Sequence, residues 1–136
     1  SNANLTNSSI QSCTNLVELD ISNTEITDLN HLPNLEILNV EQCNIDNNSL
    51  LKCTNLVGLS VGFTQKITDL NHLTKLKMLN LINSNVGNGG IAKCTKLVEL
   101  DISHNQKITH LVNFKKLQYL NAWYCKMTVE NIKKYF

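Results

Sequence analysis

Cys13-Thr14-Asn15-Leu16-Val17-Glu18-Leu19-Asp20-Ile21 returns 40 residues later as Cys53-Thr54-Asn55-Leu56-Val57-Gly58-Leu59-Ser60-Val61, and after a further 41 as Cys94-Thr95-Lys96-Leu97-Val98-Glu99-Leu100-Asp101-Ile102. Each long block divides into two shorter units of 19 to 21 residues. A period of this size marks a stack of supersecondary units. The six units read L-x-x-L-x-(L/I/V)-x-x-(N/T/S/C) followed by an apolar residue. They begin with Leu16/Leu19/Ile21/Thr24/Ile26, Leu35/Leu38/Val40/Cys43/Ile45 and Leu56/Leu59/Val61/Thr64/Ile67, and continue with Leu76/Leu79/Leu81/Ser84/Val86, Leu97/Leu100/Ile102/Asn105/Ile108 and Leu117/Leu120/Ala122/Cys125/Met127. The Leu19-x-Ile21 alternation has period two and predicts a short strand with one buried face. One unit cannot bury its apolar side alone, so neighbours stack and share a continuous core.

On these residues the chain resembles the leucine-rich repeat family, over essentially residues 4 to 136. Ile26-Thr27-Asp28-Leu29-Asn30-His31-Leu32 and Ile67-Thr68-Asp69-Leu70-Asn71-His72-Leu73 resemble the I-x-D-L-x-x-L repeats of bacterial internalins and of a phosphatase-regulating repeat family. The alternate endings, Asn44 to Cys53 and Asn85 to Cys94, resemble the cysteine-containing class found in F-box-type proteins. The resemblance implies an α/β fold: a right-handed horseshoe segment with a parallel sheet of about six short strands on its concave side and short turns or helices on its convex side. Strands are expected near residues 18–22, 37–41, 58–62, 78–82, 99–103 and 119–123. Three-ten turns are expected after Thr27, Thr68 and Thr109, and short helices near Asn48–Leu51 and Val129–Lys134. The extra residue in Thr64-Gln65-Lys66-Ile67 and Asn105-Gln106-Lys107-Ile108 predicts a small bulge.

The expected organisation is one domain over residues 4–136, with repeats starting near 13, 33, 53, 74, 94 and 115. Ser1-Asn2-Ala3 reads as the remnant of a cleaved expression tag. Asn4 to Cys13 aligns with Asn44 to Cys53 and Asn85 to Cys94, so the first repeat is read as truncated and the chain as part of a longer protein. Residues 4–12 are then expected to be mobile or packed on another molecule, and the uncapped ends leave contact between copies open.

Composition narrows the partner class. The formal net charge is +1, and all 12 basic residues are Lys. Neutrality offers no global attraction to nucleic acid or an anionic membrane. The lack of Arg also removes the side chain best suited to bidentate phosphate and base contacts. No apolar run approaches the roughly 20 residues that span a bilayer.

The five cysteines form two columns, Cys13/Cys53/Cys94 and Cys43/Cys125. Same-column neighbours stand at least two strand spacings apart, about 10 Å, beyond the roughly 7 Å a disulfide allows. Free, mostly buried thiols are expected, which points to a reducing cytoplasm, with a secreted effector or the cell surface as alternatives. His31 and His72 are equivalent and too far apart to share a metal, so neither metal nor cofactor is assigned. Asp101-Ile102-Ser103-His104 holds the letters of a hydrolase triad, but on an open sheet face with nothing to form an oxyanion hole; no catalytic residue is assigned and the chain is read as non-enzymatic.

Function is therefore sought on the outward columns. Unit by unit these read Glu18, Asp20, Ser22, Asn23; Ile37, Asn39, Glu41, Gln42; Gly58, Ser60, Gly62, Phe63; Met78, Asn80, Ile82, Asn83; Glu99, Asp101, Ser103, His104; and Tyr119, Asn121, Trp123, Tyr124. Exposed aromatics resemble interface anchors. A protein-binding site is assigned to Tyr119, Trp123, Tyr124, His104, Ile82, Met78, Phe63, Glu99 and Asp101. The competing reading makes Tyr119, Trp123 and Tyr124, with Tyr135 and Phe136, a cap on the last repeat. The expected role is a protein–protein interaction module working through the concave sheet. The alternatives are the targeting segment of a larger enzyme or secreted effector, or a surface adhesion repeat.

Overall fold

The computed structural model describes residues 5–111 and 114–133. Six three-residue strands follow one another: β1 Glu18–Asp20, β2 Ile37–Asn39, β3 Gly58–Ser60, β4 Met78–Asn80, β5 Glu99–Asp101 and β6 Tyr119–Asn121. They form one parallel sheet in sequence order, with Leu19, Leu38, Leu59, Leu79, Leu100 and Leu120 aligned across it. Each strand occupies the start of its expected span.

A turn ends every strand early. Thr24 N donates to Ile21 O, and the same i+3 bond recurs at Cys43, Thr64, Ser84, Asn105 and Cys125. The third residue of each turn has a left-handed backbone: Asn23, Gln42, Phe63, Asn83, His104 and Tyr124, with φ between 48° and 59°.

The inward aliphatics make one core. Leu29, Leu32, Leu35, Leu56, Leu73, Leu76 and Leu97 are wholly buried, and Phe114 packs against the core partly buried. The N/T/S/C column feeds backbone groups the strands leave open. Asn105, fully buried, donates from Nδ2 to Val86 O at 3.0 Å and accepts from Lys107 N and Ile108 N. Cys43 Sγ donates to Ile21 O at 2.9 Å. Among the described residues no buried side-chain polar atom lacks a partner.

The convex side departs from expectation. The three-ten segments are Asn7–Ile10, Asn47–Leu50 and Asn88–Gly90, in the alternate units and not after Thr27 or Thr68. Asp46 explains the Asn47–Leu50 turn: it caps Asn48 N and Ser49 N and forms a reciprocal box with Ser49, which nucleates a local turn. In the intervening units the amides are taken by neighbours. Thr68 N and Asp69 N donate to Asn47 Oδ1, and Leu70 N donates to Gly90 O, so the chain stays extended. Gly90 is required at that approach, because a Cβ there would stand 2.1 Å from Thr68 O. The bulge appears as a bend at Gln65-Lys66 and Gln106-Lys107.

Residues 5–12 do not hang free. Ile10 is buried, Glu25 N donates to Leu5 O, and Asn7 bonds Thr27 as Asn47 bonds Thr68. At the other end a short helix, α1, covers Val129–Lys133. Asn4, Lys134, Tyr135 and Phe136 lie outside the described residues.

Candidate interaction face

The second outward column is not free for a partner. Asp20, Asn39, Asn80, Asp101 and Asn121 each accept, at Oδ1, the backbone N–H two residues on. These Asx turns hold the chain as it leaves the sheet. Asp101 is the most committed: Oδ1 also accepts Ser103 Oγ at 2.5 Å, and Oδ2 accepts Asn121 Nδ2. The triad letters therefore do not assemble, since Ser103 is 4% exposed and bonded to Asp101, while His104 stacks on Tyr124.

This polar column divides the assigned residues into two rows. On the fourth column and its neighbour stand Phe63, Ile82, His104, Trp123 and Tyr124. The His104 and Tyr124 rings stack with centroids 5.0 Å apart, and Trp123 tilts against Tyr124 at 5.9 Å. Trp123 and Tyr124 are 69% and 71% exposed, so neither ring is spent on closing the core. On the first column stand Met78, Glu99 and Tyr119, aligned in register. Tyr119 lies in β6 and Trp123 in the turn that follows it, on either side of Asn121, and both line one shallow surface depression with Tyr124.

Ile37, outside the assigned set, stands on the same face as Met78. A Cβ on Gly58 would lie 2.9 Å from Ile37 Cδ1 and 3.3 Å from Met78 Cε. The two aliphatic side chains therefore close over the glycine from both sides. The result is an apolar saddle in a concave groove of about 430 Å³ that runs from Glu18 to Tyr119. Reading the first column down the repeats, as Glu18, Ile37, Gly58, Met78, Glu99, contains the signal.

All five cysteines are free; Cys43, Cys53 and Cys94 are buried, Cys13 and Cys125 half-buried. His31 and His72 donate from Nε2 to Ile10 O and Leu50 O, each at 3.0 Å. They are satisfied edge histidines. Among the described residues no His, Cys, Asp or Glu cluster is placed to hold a metal, and no helix is long and apolar enough to cross a membrane.

This is the geometry of a leucine-rich repeat protein: one short strand per unit, leucines aligned across a parallel sheet, and a polar column beneath each turn. A Leucine Rich repeat family profile matches residues 12–29 and 93–110, the first and fifth of the six units. Among solved structures it is similar to an internalin (inlF) of Listeria monocytogenes, at 27% identity and a TM-score of 0.73, covering 88% of this chain and 38% of that one. The functional domain of InlJ from the same organism, which includes a cysteine ladder, shares 20% identity and a TM-score of 0.68, over 88% of this chain and 28% of that one. A leucine-rich repeat protein of Leptospira interrogans matches at 22% identity and a TM-score of 0.68, over 89% of this chain and 34% of that one. The chain thus spans well under half the length of these three. No curated protein matches the sequence. Solenoids of this family typically serve as protein-interaction modules.

Proposed function

We propose that this chain is a non-enzymatic module that binds a protein partner through its concave sheet. Phe63, Ile82, His104, Trp123 and Tyr124 form the main row of contacts, and Met78, Glu99 and Tyr119 a second. Asp101 sets the strand ends and lends charge to the rim. The observation that carries this reading is where the rings sit. Asn23, Asn83 and His104 fill the left-handed turn position with residue types enriched there, but Phe63 and Tyr124 occupy it with φ of 58° and 54°. A bulky side chain there is strained by about 1–2 kcal/mol. Phe63, at 40% exposed, and Tyr124, at 71%, recover only part of that by burial. Local rules are broken in this way mainly where a side chain has work outside the fold.

A photo-crosslinking residue placed at Trp123, Phe63 or Lys52 tests the reading in extracts where the full-length protein is expressed. The expected result is one discrete adduct from Trp123 and Phe63 and none from convex Lys52. An adduct from Lys52 alone would move the function to the convex side.

A further inference from the structure

The first two outward columns are symmetric about the third unit. Glu18, Ile37, Gly58, Met78 and Glu99 are paired in register across five strands, as are Asp20, Asn39, Ser60, Asn80 and Asp101. A carboxylate pair therefore stands at each end, Glu18 with Asp20 and Glu99 with Asp101. Between them the residues of these two columns are uncharged, centred on the Ile37–Met78 saddle over Gly58, while the Glu41 carboxylate of the third column accepts from Ser60 Oγ beside it. The groove of about 430 Å³ follows this line. No lysine occupies any of the four outward columns; the nearest in these units, Lys77, precedes Met78 at the leading edge of its strand.

The geometry points to a basic polyproline II segment as the occupant of this groove, with a cation at each end and an apolar side chain between. This deepens the concave-binding reading and rests on it. Charge complementarity sets the cations, and the exposed apolar faces of Ile37 and Met78, 37% and 40% exposed, set the centre. Spacing sets the conformation. From Glu18 to Gly58, and from Gly58 to Glu99, is two strand spacings, about 9.6 Å each. A polyproline II helix brings every third residue to the same face and rises about 9.3 Å in three residues. The matching pattern is cation-x-x-apolar-x-x-cation. An extended β-strand fails this match, because residues three apart point to opposite faces. Tyr119, next to Glu99 in register, offers its ring to the cation at that end.

The test uses the whole chain and the peptide Lys-Pro-Pro-Leu-Pro-Pro-Lys, followed by backbone amide NMR. Shifts centred on Glu18, Gly58 and Glu99, weakened about tenfold or more by Glu18→Gln with Glu99→Gln and by Leu-to-Ser replacement in the peptide, support the proposal. Equal binding of the peptide with glutamates in place of lysines overturns it. So does preferential binding of a helical peptide whose lysines stand fourteen residues apart, which puts both on nearly one face over about 21 Å. If the peptide gives no shifts while Trp123 still crosslinks a protein, this proposal fails and the concave-face reading stands. If the crosslinks come only from Lys52, the concave-face reading fails as well.

Discussion

The Asn47 side chain is tied to Thr68 of the next unit by two bonds. Its Oδ1 accepts Thr68 N at 2.9 Å and its Nδ2 donates to Thr68 Oγ1 at 2.9 Å, while Asp69 N also reaches Oδ1. Asn7 with Thr27 and Asn88 with Thr109 repeat the arrangement. The return stitch is Asn30 Oδ1 accepting Lys52 N, repeated by Asn71 with Lys93. Two different asparagine clamps alternate along the solenoid. The long period of 40 to 41 residues in the sequence is therefore the true structural repeat.

Asn47→Ala should cost about 1–2 kcal/mol in urea unfolding, because two amides and a hydroxyl lose a partner at a site water can partly reach. Asn47→Asp keeps the acceptor and should cost less than half as much. Equal losses would mean that the acceptor is not what matters.

Leu59→Ala and Leu79→Ala remove buried side chains with a unit on either side and should cost about 2–5 kcal/mol each. Leu16 is only half-buried and Leu117 is 8% exposed, so the same change there should cost less. Comparing the four urea midpoints checks the nearest-neighbour character of the stack.

Gln42 holds the left-handed turn position with φ of 58° and is exposed. Gln42→Asn should raise stability by roughly 0.5–1 kcal/mol, since asparagine adopts that backbone at lower cost. A thermal melt reads the gain, and a lower melting temperature would contradict the strain argument.

Burial, with the Asp28 carboxylate adding to it, pushes the Cys53 thiol from 9.0 up to about 11, and burial with Asp69 does the same to Cys94. Above the unfolded value the unfolded chain sheds protons that the folded chain keeps, so folding stability falls as pH rises. The contribution is complete below about pH 9 and lost by about pH 11. Urea midpoints across that window should drop in the wild type and drop less in Cys53→Ala with Cys94→Ala. A thiol reagent at neutral pH should label half-buried Cys13 and Cys125 first.

Trp123→Ala should weaken partner capture roughly thirtyfold or more, the loss expected of an interface anchor worth at least about 2 kcal/mol. Its indole is 69% exposed, so the melting temperature should hardly move. A variant that binds normally but melts early would make the aromatics a cap.

Strand register was legible in the residues, and so was the membership of the core. Both follow from period-two alternation repeated at a fixed interval: once Leu19 and Ile21 point inward, Glu18 and Asp20 must point out, and the same holds five times over. The outward columns and the isolation of the thiols follow from that register and a strand spacing. What the residues could not settle depends on partners 18 to 24 positions away, brought together only when one unit lies on the next. The three-ten turns moved to the alternate units because Asn47 and Gly90 take the amides of Thr68 and Leu70. Tyr119 and Trp123 stand on either side of a polar column because Asx turns at Asp101 and Asn121 occupy it. The saddle over Gly58 exists because the sheet sets Ile37 and Met78 on either side of a residue with no side chain. Alternation along one strand decides which way a side chain faces. Contact between stacked strands decides what it meets there.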